Sequence, residues 1–444
     1  MSETVKLINN KEIPPKDKFQ FVYWIFYLMG IGSLLPWNFF ITANDYFMYK
    51  LRNTTTNSIE PTTDQQKDFE SDLAVAATIP NVLFNIFTVI IVKYLHQKYR
   101  ISLSFLFIAI LLFITIIFVN VNSDDYQNTF FIIVMMTIVL LSASSSVLTA
   151  SVFGLASIMP VNYIAAVMNG QALGGTIAAL AHIFSIAASG SESLDKNSII
   201  LSANIFFASA LTITVIALVG YASLFFLKFS KFYMLNDACE TMESADDYDE
   251  SEVDTKESKS FMYVLKRIWR WGLASYLIFL VTLSCFPGIA SLIKPVNEAK
   301  IVPWFRPFFT PTVCFLCFNA ADLSGRIVAS KFQLLKLHYS NLALLLACLR
   351  ICFIPLLMQC NTVPSGHLPS INTSLPLFNN DITPVVLITL LGFTNGYLGN
   401  LCMMYGPQLV SAAESERAGT IMSLFLTLGL ASGSVISLIL VKFL

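Results

Sequence analysis

The chain has 444 residues, 55% of them hydrophobic and 12% charged, with a formal net charge of −1 and a mean hydropathy of +0.68. Soluble domains carry about 25% charged residues, so half that density along a whole chain points to a membrane protein. A near-neutral chain without a basic stripe excludes nucleic acid as a partner, and eight cysteines in mostly apolar surroundings, with no CxxC beside a suitable histidine, argue against a disulfide framework or structural zinc.

Residues 1–18 form a polar tail with no cleavable signal peptide, so the first apolar segment is expected to stay as an anchor. A bilayer-crossing helix needs about 20 apolar residues. Eleven such runs follow, at 19–43, 73–95, 101–121, 128–158, 162–188, 199–227, 271–293, 303–332, 337–359, 382–410 and 416–443. Two are longer than a crossing needs and are expected to tilt or kink. The expected fold is an all-α polytopic membrane protein, with no barrel-like alternation.

Lys and Arg set the expected orientation. With the N-terminus inside, seventeen fall in inner loops and eight in outer ones, while Arg326 and Arg350 lie within spans. An odd number of spans then puts the C-terminus outside. The sequons at Asn53 and Asn372 both fall in outer loops, where glycosylation takes place.

The loop 228–270 divides six spans from five. Its acidic core, NDACETMESADDYDESEVDTKESK, is expected to be disordered, with Ser244, Ser251 and Ser258 as phosphorylation candidates beside the plainer reading of a solvated linker. The expected organisation is a cytoplasmic tail (1–18), a six-helix bundle (19–227), this loop (228–270) and a five-helix bundle (271–444). Two bundles around a cavity is the geometry of alternating-access transporters.

Ionisable groups inside spans are costly and by default mark function. In CFNAADLSGRIVAS, Asn319, Asp322 and Arg326 fall on one helical stripe, and the last two are spaced to pair. The stripe is read either as a packing salt bridge or as a site for a polar solute. Arg350 has no partner on its own helix and is expected to pair with another span or to snorkel. Gln171 is a buried amide that needs a partner, either a neighbouring helix or the substrate.

Gly170 and Gly174, like Gly429 and Gly433, have the spacing that lets helix backbones approach closely. Pro36, Pro80, Pro160, Pro287, Pro311, Pro355 and Pro407 are read as lying within spans and bending them. In the first span, Leu34, Trp37, Asn38 and Ile41 share one face. An indole beside an amide suits a flat heteroaromatic solute, although a lone Trp near a span end also serves as an interface anchor.

LLPWNFF in the first span, PVNYIAAVMNGQALGG in the fifth, FNAADLSGR in the eighth, and GYLGNLCMMYGP followed by ERAGTIMSLFLTLGLASG resemble, in order, the equilibrative nucleoside transporters (solute carrier family 29). The resemblance implies a major-facilitator-like fold short of one helix, and passive two-way movement of nucleosides, and of nucleobases as a further class. It implies a lining of Leu34, Trp37, Asn38 and Ile41, the pair Asp322 and Arg326 on ribose hydroxyls and base, Asn319 and Phe315 beside them, and Leu430 in the last span. It makes Gly170 and Gly175 positions of packing and transport. Two departures stand out: Thr149 replaces a base-binding glutamine, and Thr78 and Asn81 replace bulkier Met and Leu, so the cavity is expected to be more polar.

The His residues 96, 182, 338 and 367 show no metal-ligand spacing, and no nucleotide-binding G-x-x-x-x-G-K-[ST] motif occurs, so no metal, cofactor or ATP is expected. With no nucleophile–base constellation and no folded effector domain, an enzyme or a receptor is disfavoured. The expected partners are purine and pyrimidine nucleosides and the lipid bilayer, with no obligate protein. Proton coupling through Asp322 or Asp72 is the alternative within transport, and pairing with Arg326 works against it. The plasma membrane is the expected location, since the tail lacks an acidic dileucine signal.

Overall fold

The structure, a computed structural model, describes residues 14–53, 63–92, 94–189, 196–234, 253–296, 308–362 and 377–443. Eleven of its helices are long and apolar enough to cross a membrane, in the order read from the sequence. They are α1 (Phe21–Thr42), α2 (Asp64–Ile91), α3 (Gln97–Asn120), α4 (Gln127–Ile158), α5 (Asn162–Ser189), α6 (Lys196–Leu224), α7 (Val253–Cys285), α8 (Cys317–Lys331), α9 (from Ser340–Leu349 through Arg350–Cys352 to Phe353–Met358), α10 (Ile382–Tyr405) and α11 (Ala412–Phe443). Among the described residues, β structure is limited to isolated bridges such as Ile293 with Thr362.

The helices sort by what their side chains tolerate. In α1 and α5, 61% and 67% of the apolar window is buried, against 22% in α2 and in α9. Small and polar residues let α1 and α5 sit in the middle, whereas α2 and α9 turn large side chains such as Leu83, Ile90 and Leu345 outward. That surface is suited to lipid. Helix α1 packs on α5 and α6, α2 on α4, and α3 on α4 and α6; α7 packs on α10 and α11, and α8 on α10. Contacts of α11 with α4 and α2, and of α8 with α5, join these two sets.

Glycines set several of these contacts. A Cβ at Gly170 would meet the Tyr27 carbonyl of α1, and one at Gly429 or Gly433 would meet the carbonyl of Tyr276 or Leu280 on α7. Gly174 makes only ordinary contact, at 3.8 Å from Ile31 O and Leu35 Cβ.

Three boundaries differ from the sequence reading. Helix α2 begins at Asp64 because Thr63 caps it: Gln66 N donates to Thr63 Oγ1 (3.2 Å) and Thr63 N donates to Gln66 Oε1 (2.8 Å). Helix α7 begins at Val253, so the interval 228–270 is helical over its last part. Val264, Ile268 and Trp271 repeat at helical spacing and are fully buried, which gives that extension an inner face. Finally, Pro160 lies in the short turn between α4 and α5, and Pro287 in the break after α7, so neither bends a span from within. Pro36 and Pro80 are inside continuous helices.

At the other end of α1, the short helix Asn44–Lys50 folds back and buries both Lys50 and Arg52. Lys50 Nζ donates to Val121 O (2.6 Å), and Arg52 pairs with Asp124 (3.1 Å). Burial pushes the Lys50 ammonium below its ordinary value, against an upward pull from Asp124. Asn53 follows directly, while Asn372, Ser244 and Ser251 lie outside the described residues.

Candidate functional site: a charged pair and two amides between helices

Helix α8 is entered through a wide π-helical turn, Thr310–Leu316, with Pro311 in its first turn. Phe315 sits on that turn with its ring 5.5 Å from Phe286, and its carbonyl accepts from Asn319 Nδ2 (2.8 Å). One turn on, Asp322 and Arg326 are both buried. Arg326 Nε donates to Asp322 Oδ2 (2.9 Å) and Nη1 donates to Met168 O of α5 (2.8 Å). Nη2 is left without a partner among the described residues.

Asp322 and Arg326 thus form the intrahelical pair that the spacing predicts. The pair is not self-sufficient, because Asp322 Oδ1 also accepts from Asn395 Nδ2 of α10 (2.7 Å). Helices α8 and α10 meet backbone to backbone: a Cβ at Gly396 would strike the Asp322 carbonyl, one at Gly325 the Phe393 carbonyl, and one at Gly392 would come within 2.6 Å of Phe318 O.

The opposite wall comes from α1 and α5. Gly175 lies where Asn38 of α1 and Asn319 of α8 converge: a Cβ there would collide with Asn319 Oδ1 and lie 3.9 Å from Asn38 Nδ2. Asn38 Nδ2 is buried and has no hydrogen-bond partner. An unpaired buried amide donor is costly, and this one sits at the junction of three helices. Leu34 and Trp37 are half-buried on the same helix, Trp37 packing against the main core, while Ile41 is 41% exposed.

Thr78, Asn81, Thr149, Phe315 and Leu430 are all half-buried. Among the described residues no hydrogen bond joins their side chains to the Asp322–Arg326 pair. Ser146 of α4 donates to Asn81 O (2.6 Å), which ties α4 to α2. Gln171 finds its partner on a neighbouring helix, donating to Ser33 Oγ of α1 (3.3 Å).

Arg350 bonds to other spans, as one of its two sequence readings has it, but its partners, like those of Arg100, escape sequence reasoning. Arg350 is buried between α7 and α10, where it donates to Ile278 O (2.8 Å), Thr282 Oγ1 (2.9 Å), Leu391 O (3.0 Å) and Thr394 Oγ1 (3.2 Å). The signal available for its surroundings is GFTNGYLGN, where Asn395 stands among glycines. Arg100, counted as a loop cation, is also buried: it pairs with Glu416 of α11 and donates to Leu95 O (3.0 Å) and Ser151 Oγ (3.2 Å). Around it α4 and α11 are in close contact, since a Cβ at Gly419 would lie 2.6 Å from Phe153 O and one at Gly154 3.0 Å from Thr420 Oγ1.

The profile described as nucleoside transporter matches residues 135–442, well over half of the chain. The chain belongs to this family. It is 33% identical to equilibrative nucleoside transporter 3 of Rattus norvegicus over 97% of the chain and 90% of that protein. Identity to equilibrative nucleoside transporter 1 of Homo sapiens is also 33%, over 95% of the chain and 97% of the relative. Among solved structures, the chain resembles a proton:xylose symporter of the major facilitator superfamily (TM-score 0.56, 11% identity, 93% and 87% covered) and the fucose:proton symporter of E. coli (TM-score 0.55, 12% identity, 95% and 95% covered). These likenesses fix the fold as major-facilitator-like for this nucleoside transporter family member.

Proposed function

We propose that the chain is a facilitative carrier that equilibrates nucleosides such as adenosine and uridine across a membrane by alternating access, without cofactor or ion gradient. The observation that carries this reading is a pair of spare hydrogen-bond donors on helices that pack against α5, at Asn38 on α1 and at Arg326 on α8. Asn38 Nδ2 is buried and unpaired, Arg326 Nη2 is unused, and the Asp322 carboxylate lies beside it. A nucleoside offers a flat ring with acceptors and a sugar with hydroxyl donors, which meets each of these needs. Trp37 and Phe315 provide aromatic surface for the ring.

Helices α1–α6 and α7–α11 act as two rocking bundles, with the 228–270 interval as their tether. The N-terminus is cytoplasmic, the C-terminus extracellular, the membrane is the plasma membrane, and Asn53 and Asn372 are the glycan acceptors. The polar residues Thr78, Asn81 and Thr149 widen the accepted bases toward free nucleobases.

The test is purified protein in sealed liposomes with labelled uridine. Uptake rises to the outside concentration with no ion gradient and is insensitive to a protonophore. Accumulation above that concentration, driven by an imposed proton gradient, overturns the facilitative reading in favour of proton coupling.

A further inference from the structure

Arg350 opens the tight 3-10 stretch Arg350–Cys352 of α9, five residues before Pro355 and next to Ile351, whose carbonyl faces the proline. Proline cannot donate to the carbonyl four residues earlier and its ring crowds that carbonyl, so the helix tightens there and Arg350 turns inward, 3% exposed. Among the described residues no carboxylate lies within ion-pair distance of it. A guanidinium buried without a counter-ion is among the costliest groups a membrane bundle can hold. Apolar packing would not need it.

Its hydrogen bonds show what it does instead. Arg350 can only donate, and the Asp322 carboxylate can only accept. Between them stand Thr282 and Asn395. Thr282 Oγ1 accepts from Arg350 Nη2 (2.9 Å), and its single proton has two acceptors at 2.8 Å, Ile278 O and Asn395 Oδ1. Ile278 O already receives Arg350 Nη1 (2.8 Å) and, as the carbonyl four residues back in α7, the Thr282 N–H; these fill its two lone pairs, so the proton serves Asn395. Asn395 must then present Nδ2 to Asp322 Oδ1, as it does at 2.7 Å. The reversed amide would set a carbonyl against a carboxylate. A donor-only end and an acceptor-only end therefore fix every proton between them.

We propose that Arg350, Thr282 and Asn395 form a hydrogen-bonded strut that positions Asp322 to receive sugar hydroxyls. The three are positioning residues for ribose recognition, although none touches the solute. The inference rests on reading Asp322 and Arg326 as the solute site. Asn395 holds one carboxylate oxygen and Arg326 the other, so the carboxylate plane is set before the solute arrives. A nucleoside lacking the sugar hydroxyls gains nothing from the strut.

The test compares uridine with 2′,3′-dideoxyuridine in liposomes containing the full-length protein. Losing the charge-assisted alignment, Thr282→Val raises the uridine KM about tenfold while the dideoxyuridine KM moves less than about twofold. Thr282→Ser restores the wild-type ratio. If Thr282→Val is not recovered folded, Thr282→Cys, a weak donor of similar size, gives the same readout. Equal shifts in both KM values, or a change in maximal rate alone, overturn the strut. Asp322→Ala separates the two claims. If that variant keeps uptake and ribose preference, the site reading falls. If it loses uptake while Thr282→Val keeps the wild-type ratio, only the strut falls.

Discussion

Two buried arginines join α1–α6 to α7–α11, and they are built for opposite ends. Arg100 spends Nε, Nη1 and Nη2 on Leu95, Ser151 and Glu416, where glycines bring α4 and α11 into close contact. Arg326 spends Nε and Nη1 on Asp322 and Met168 and leaves Nη2 without a partner among the described residues. A charge pair whose every guanidinium nitrogen has a partner works as a fastener. One with an unpaired nitrogen is the arrangement the proposed solute site needs.

Three substitutions break or sharpen this contrast. Asp322→Ala has the largest effect: it removes the acceptor and leaves Arg326 uncompensated, a loss of ~3–5 kcal/mol when one partner of a buried pair goes. Uridine uptake falls to background while surface biotinylation still finds the protein. Normal uptake by this variant would refute the solute-site role. Glu416→Gln keeps a hydrogen-bonding group but removes the fastener's charge. It changes the maximal rate by about tenfold or less and leaves the uridine KM within about twofold, the split expected of a step outside binding. A KM shift larger than the rate change would place Glu416 in the solute site instead. Thr149→Gln is the mildest. Its longer amide adds two donors toward the base, and the adenosine-to-uridine KM ratio moves about threefold to tenfold, the worth of one hydrogen bond. An unmoved ratio removes Thr149 from base recognition.

What the sequence revealed was what is local. A run of apolar residues or a carboxylate four residues before an arginine lies within one helix, so the spans and the Asp322–Arg326 pair could be read directly. The partners of Arg100 and Arg350 could not. Arg100 meets Glu416 316 residues away, and Arg350 reaches Thr282 and Leu391 on two other helices. A cation near a span end looks the same whether it faces water or a distant carboxylate. The α7 extension was hidden for a related reason: acidic residues dominate the composition of the preceding loop, while the burial signal is carried by Val264, Ile268 and Trp271 alone. Pro160 misled because a proline between two apolar stretches marks a turn as readily as a bend.

The glycine seam between α8 and α10 has a consequence for how such a carrier diversifies. With Gly396 against the Asp322 carbonyl and Gly325 against that of Phe393, even an added methyl displaces the backbone that holds the charged pair. Mutation has no small steps to offer on that side. Thr78, Asn81 and Thr149 lie outside that seam, half-buried and with side chains not hydrogen-bonded to the pair, so they tolerate exchange. A lineage that changes its diet is therefore expected to rewrite these α2 and α4 positions and inherit the α8 seam unchanged.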